Sequence, residues 1–362
     1  MDTLSSTKKR VLVVDDSVFA RKITSDILSA SPYLDVAGFA VNGLDALKKI
    51  KELKPDVVVL DVEMPKLNGI ETLCRIMQEC PTPVLMLSSL TTQGAAESMQ
   101  ALRYGAVDVM AKPNSSLGLG MSALADDLIA KVMAAADVEV SHLSPVAHAP
   151  SHPPPQSLRP AITNFPIVMI ASSTGGPRAL RTLIPDLTDS DGVAYVIVQH
   201  LPPGFTGPFA RDLDTQTNLN VRESAEGDTL KPGDVMFAKS GFHTVFDKRG
   251  NVHITSDPPL WGVRPSADVT MASAVPVFRN RLIGVVLTGM GRDGANGMKL
   301  IKEAGGVTLA EHESSCVVYG MPRVAAEMGV VDVVVPLQEM AEAISATVWK
   351  VAQSQTRKLA TV

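Results

Sequence analysis

A repeated alternation constrains this chain more than any other feature. Short β-branched runs alternate with segments of helical period, and the pattern occurs twice. In the first block the candidate strands are 10–14, 34–40, 57–60, 84–87 and 107–110. Val18, Phe19, Ile23, Ile27 and Leu28 recur on one helical face between the first two. In the second block the candidate strands are 167–171, 194–198, 235–238, 282–287, 307–310 and 331–335. Pro177 and Pro322 sit where a first helical turn can start, and Gly305 where a helix can stop. Strand–helix alternation at this spacing predicts parallel, doubly wound sheets. The 362 residues suffice for two or three domains.

The two blocks are separated by "DVEVSHLSPVAHAPSHPPPQSLRPAITN", residues 137–164. It is rich in Pro, Ser, His and Ala, with no sustained apolar period, and reads as an extended linker. His142, His148 and His152 read as solvated linker residues rather than a metal site. The expected division is 9–130 for the first domain, 131–164 for a helix end and linker, and 165–350 for the second domain. The net charge is −5, and no basic cluster forms a nucleic-acid footprint. Cys74, Cys80 and Cys316 make no CxxC pair, which fits a reducing cytoplasm. The apolar run after "MDTLSSTKKR" is too short for a signal-peptide core, and we expect no membrane insertion.

Several strands end in groups that carry chemistry. "VLVVDDS" ends in Asp15 and Asp16, and "VVVLDVEMP" places Asp61 at a strand end. In an open parallel sheet ligands gather beyond the carboxyl ends of the strands, so the three acids should converge. Unpaired, they would repel one another; a hard divalent cation removes that problem, and all-oxygen ligation suits Mg²⁺. Ser88 and Lys112 end two later strands and add a hydroxyl and an ammonium. Together these groups suit phosphoryl transfer onto an aspartate. The alternative is a helix cap at 15–17 and a surface lysine.

With "VVDDS", "LDVEMP", "GAVDVMAKP" and Ser88, residues 9 to about 130 resemble a response-regulator receiver domain. The resemblance implies a flavodoxin-like fold with Asp61 as phospho-acceptor. It also implies Mg²⁺ held by Asp16, Asp61 and the backbone carbonyl of Glu63 with Asp15 assisting, and phosphoryl contacts from Ser88 and Lys112. Receivers often carry an aromatic residue three positions before the lysine. Here that residue is Val109, so no aromatic switch operates there.

In the second block Ser173 follows "PIVMIA", His200 follows "VAYVIVQ", and Asp293 follows "RLIGVVLTGMGR". Three parallel strands would place a nucleophile, a base and an orienting carboxylate on one edge. "TGMGRDG" is flexible enough to aim a backbone N–H at a developing oxyanion, and Met290 is the first candidate donor. Other readings stay open at this point. Residues 172–176 suit a plain turn or a phosphate loop, His200 a structural histidine, and Asp293 a helix N-cap.

"ASSTGGPRAL", "QHLPPGFTGPFA", "RPSADV", "LTGMGRDGANGM" and "ESSCVVYGMPR" make residues 166 to about 345 resemble the catalytic domain of the chemotaxis protein-glutamate methylesterases, the CheB family. The resemblance implies a doubly wound, mainly parallel α/β esterase domain that needs no cofactor, with Ser173, His200 and Asp293 as catalytic triad. It further implies phosphorylation-activated hydrolysis of glutamate 5-methyl esters on methyl-accepting chemotaxis receptors, and glutamine deamidation, with a chemotaxis histidine kinase as phosphodonor. The family usually shows Gly-Ala before its serine; here Ala171-Ser172 stands there. Arg264 is a candidate for the substrate cleft or for a surface ion pair, and Cys316 reads as packed. The competing functions are a regulator in a related, non-chemotaxis pathway, a DNA-binding output domain, and a nucleotide site at "SSTGG". The last lacks both GxGxxG and a GK[ST] ending.

Overall fold

The computed structural model describes residues 8–113, 121–138, 165–189 and 192–359. The chain divides into two compact units, 1–146 and 147–362. The linker predicted at 137–164 lies almost wholly outside the described residues.

The first unit alternates β1 (Lys9–Val14), α1 (Val18–Ser29), β2 (Leu34–Ala40), α2 (Gly43–Leu53), β3 (Val57–Asp61), α3 (Gly69–Glu79), β4 (Val84–Ser88), α4 (Thr92–Arg103), β5 (Asp108–Ala111) and α5 (Met121–Ala136). The sheet order is β2-β1-β3-β4-β5, and every pairing is parallel. The helices start where short polar residues can cap them: Ser17 accepts from Ala20 N–H, and Asn68 with Glu71 forms a capping box. The chain crosses from one side of β1 to the other between β2 and β3. The switch point therefore falls between β1 and β3, the two strands that end in the acids.

The second unit contains β6 (Ile167–Ser172), α6 (Gly176–Leu183), β7 (Ala194–Gln199), α7 (Thr206–Asp214), β8 (Asn220–Glu223), β9 (Asp234–Phe237), β10 (His243–Phe246), β11 (Val252–Thr255), α8 (Ala267–Phe278), β12 (Leu282–Val286), α9 (Ala295–Glu303), β13 (Val307–Glu311), α10 (Met321–Glu327), β14 (Val333–Val335) and α11 (Leu337–Leu359). Seven strands run in the order β14-β13-β12-β6-β7-β9-β8, all paired in parallel. The core between sheet and helices is built from Val, Ile, Met and Ala, with Phe246 and Phe278 packed edge to face.

Both units are α/β and doubly wound, as the alternation predicts. Predicted strand ends shift by a residue or two. Strand β8 and the antiparallel hairpin β10–β11 escape the sequence reading, because four-residue strands carry too little period to register. Helix α5 runs past residue 130 to Ala136, and α11 past residue 350 to Leu359. No described helix is long and apolar enough to cross a membrane.

Candidate active site and phospho-acceptor site

In the first unit, β1 and β3 deliver Asp15, Asp16 and Asp61 to one place, with carboxylate oxygens all within 4.8 Å of one another. Lys112, just beyond β5, puts Nζ 2.7 Å from Asp61 Oδ1 and 3.3 Å from Asp15 Oδ2. Asp61 Oδ1 also accepts from Glu63 N–H at 3.2 Å, while the buried Oδ2 has no partner. Burial pushes the Asp61 carboxyl up to about 6, against the opposing pull of Lys112. Burial also opposes the charge on Lys112, but the hydrogen bond and charge of Asp61, with Asp15, outweigh it and raise the ammonium above its usual range. Three clustered acids and one orphaned, buried carboxylate oxygen fit a hard cation. Ser17 does cap α1, and Asp15 Oδ1 accepts from Ser17 N–H at 2.8 Å; capping and the cluster coexist.

Ser88 is buried at the end of β4, but its hydroxyl does not meet Asp61. It donates to the carbonyls of Gly94 (3.1 Å) and Ser89 (3.3 Å). The Glu63 side chain accepts from Ser89 Oγ at 2.9 Å, and only its backbone turns to Asp61. Val109 is buried in β5, where a switching aromatic would stand.

In the second unit the register assembles the site. Ser172 pairs with Gln199 at the ends of β6 and β7, so Ser173 and His200 are the next residues on adjacent strands. His200 N–H donates to Ser172 O at 3.1 Å, and Ser173 N–H to Thr288 O at 3.1 Å. Ser173 is 7% exposed. His200 Nε2 lies 2.8 Å from Asp293 Oδ2. With Nε2 so engaged, Nδ1 is the nitrogen left to serve Ser173. No hydrogen bond joins Ser173 Oγ to His200, a contact that often tightens only with substrate bound.

Asp293 does not cap the helix that follows it, as one sequence reading allowed. Gly294 is the cap residue of α9. Asp293 instead reaches the start of α8, where Oδ1 accepts from Ser266 Oγ (2.6 Å) and Asp268 N–H (3.0 Å), and Oδ2 from Ala267 N–H (2.6 Å). Burial pushes its carboxyl up. The hydrogen bond and charge of His200, helped by Ser266 and Asp268, outweigh this and hold it below the usual carboxylate range.

The glycines have a steric role. A Cβ on Gly289 would come 2.8 Å from Ser173 Cβ and 2.4 Å from Met321 Sδ. Residue 289 must therefore be glycine for the loop carrying Met290 to lie against Ser173. Neither Met290 N–H nor Thr174 N–H donates to a described acceptor, so both are free to meet a developing oxyanion.

Sequence reasoning missed Gln199. Fully buried, its amide Nε2 donates to the carbonyls of Ser173 (2.9 Å) and His200 (3.0 Å), and its Oε1 accepts from Ser172 Oγ at 2.7 Å. Ser172 is thus the hydroxyl that completes a brace under Ser173 and His200. A terminal Gln in "AYVIVQ" was the available signal, since a buried amide needs partners. Thr288 and Glu311 brace the other side. Thr288 Oγ1 donates to Thr174 O at 3.0 Å, and Thr288 N–H to Glu311 Oε2 at 2.7 Å. Arg264 makes no ion pair among the described residues; it donates to the carbonyls of Ser256 and Asp257 and so ties a loop. Burial pushes the Cys316 thiol up, beyond reach of nucleophilic use.

Two family descriptions match stretches of this chain. The CheB methylesterase description matches residues 168–344, and the response regulator receiver domain matches residues 11–119. A protein-glutamate methylesterase/protein-glutamine glutaminase of Symbiobacterium thermophilum is 45% identical over 94% of this chain and 97% of its own length. One from Pyrococcus abyssi is 41% identical over 94% of both chains. The crystal structure of the Thermotoga maritima CheB methylesterase catalytic domain covers 53% of this chain and 99% of its own, at 38% identity and TM-score 0.49.

Proposed function

The chain belongs to the CheB methylesterase family, and we propose from that premise that it hydrolyses glutamate 5-methyl esters on chemotaxis receptors under control of Asp61 phosphorylation. The observation that carries the esterase reading is the convergence of Ser173, His200 and Asp293 at neighbouring parallel strand ends, with His200 already held by Asp293. Free cysteines suit a cytoplasmic location.

In the proposed reaction Ser173 Oγ attacks the ester carbonyl while His200 Nδ1 takes its proton. Asp293 holds the ring through Nε2 and stabilises the imidazolium. Met290 N–H, with Thr174 N–H, receives the oxyanion. The C–O bond to the methoxy group then breaks, and His200 returns the proton so that methanol leaves. Water, deprotonated by the same histidine, cleaves the acyl-serine and frees the glutamate. On a glutamine side chain the same steps would release ammonia.

In the receiver, an Asp61 oxygen forms a bond to phosphorus as the donor's phosphohistidine P–N bond breaks. Asp15, Asp16 and Asp61, with the Glu63 carbonyl, would hold Mg²⁺. When bound, the ion supplies positive charge for the phosphoryl oxygens. Lys112, 2.7 Å from Asp61 Oδ1, would pair with the new phosphate. Ser88 must leave Gly94 to reach it, and that rotation is a local route by which phosphorylation acts on α4.

The test is methanol release from methylated receptor membranes, with and without a small-molecule phosphodonor, by wild type and Ser173→Ala. Activity retained in Ser173→Ala sinks the triad. Equal rates with and without phosphodonor sink the control.

A further inference from the structure

The catalytic cycle leaves unused a feature on the rim of the same site. Trp261 is 47% exposed and holds φ at +55°, a region that bulky residues seldom enter. Its Nε1 donates to Asp268 Oδ2 at 2.9 Å, and the Arg292 guanidinium lies over the ring face, 4.8 Å from its centroid. Arg292 immediately precedes Asp293, and Asp268 N–H donates to Asp293 Oδ1. The stack therefore stands one residue from the triad carboxylate. Arg292 is exposed, and no described carboxylate pairs with it. The adjoining loop repeats the arrangement, with Lys239 Nζ 5.5 Å from the ring of the exposed Phe242. The two loops are joined by Gly241 N–H donating to Arg264 O at 3.1 Å.

We propose that the Trp261–Arg292 stack is a subsite for the protein substrate, taking a carboxylate that neighbours the ester being cleaved. The inference rests on the methylesterase reading above. A glutamyl methyl ester looks the same in any protein, so selectivity has to come from the chain around it. Each turnover also leaves a carboxylate on that chain, so a segment carrying several such esters becomes anionic as it is processed. A guanidinium matches a carboxylate with two parallel hydrogen bonds. The indole face fixes the guanidinium beforehand, so less side-chain freedom is lost on contact. The left-handed backbone at Trp261 fits a residue held for its position rather than for local comfort.

The experiment is methanol release from methylated receptor membranes by the full chain with phosphodonor, comparing wild type, Arg292→Gln, Arg292→Lys and Trp261→Ala. Arg292→Gln should raise KM about tenfold or more, the factor carried by a charge-assisted hydrogen bond, and leave kcat within about twofold. Arg292→Lys should recover part of the loss, Trp261→Ala should raise KM less, and added salt should shrink every difference. An unchanged KM in Arg292→Gln overturns the proposal. So does a fall in kcat at constant KM, which is what a disturbed Asp293 would produce. Wild type that releases no methanol sinks the esterase reading itself, and the subsite with it.

Discussion

Asp293 reaches His200 Nε2 at 2.8 Å while receiving two backbone N–H groups from the first turn of α8, a helix it does not belong to. The carboxylate thus has its charge stabilised by a helix N-terminus and by the imidazole it orients. Asp293→Asn keeps the shape but offers an amide where an acceptor is needed, which favours the wrong tautomer. We expect kcat for methanol release to fall about 10³- to 10⁴-fold.

The same carboxylate makes a prediction about stability. Its pKa is depressed in the folded protein, so its stabilisation is present above the unfolded value of 3.8 and is lost as pH falls through the lower folded value. Asp293→Asn should therefore melt below wild type at pH 7, and the gap should close below about pH 4. A gap that persists in acid would show that the loss is steric.

Ser172 and Gln199 separate stability from alignment. Ser172→Ala leaves Gln199 Oε1 buried without its donor, at a cost of about 1–3 kcal/mol. Both Nε2 bonds survive, so the enzyme should melt several degrees lower yet keep most of its kcat at moderate temperature. Gln199→Leu removes the shared donor to the Ser173 and His200 carbonyls, and kcat should fall as well. Equal kcat in the two variants would remove the brace from the argument.

Gly289→Ala tests the close approach. The new methyl would sit 2.8 Å from Ser173 Cβ, a distance that real contacts do not show. Either Ser173 or the Met290 loop must move, and a shift near 1 Å costs about a hundredfold in rate. Single-turnover acylation should show the loss, with Ser173→Ala as the baseline.

The legible parts of this molecule were those written in strand ends. Ser173, His200 and Asp293 follow long apolar runs, and Asp15, Asp16 and Asp61 do the same, so parallel sheets leave few other places for them. What escaped was carried by pairs distant in sequence. Gln199 acquires meaning only once β6 and β7 are in register, and Ser266 only once α8 turns towards Asp293. Arg264 shows its charge in the sequence, but the Ser256 and Asp257 carbonyls it hydrogen-bonds become its neighbours only once that loop is folded. The strands missed entirely, β8 and the β10–β11 hairpin, are too short to show a period, and pairing rather than local preference forms them.

Asp61 is the place where a missing charge is most measurable. Burial raises its carboxyl from 3.8 to about 6, so the folded state binds the proton more tightly than the unfolded chain does. Ionised Asp61 therefore costs stability, rising between pH 3.8 and about 6 and constant above, by roughly 3 kcal/mol at most. Asp61→Asn carries no such cost. In calorimetry without divalent cation, its N-terminal unit should melt above wild type at pH 7, and this advantage should vanish below about pH 4. Mg²⁺ should raise the wild-type transition and raise Asp61→Asn much less, because a ligand is gone. Equal shifts in both proteins would move the cation elsewhere. Asp61→Asn should also release methanol at one rate with or without phosphodonor, and any stimulation that survives would place the acceptor on another residue.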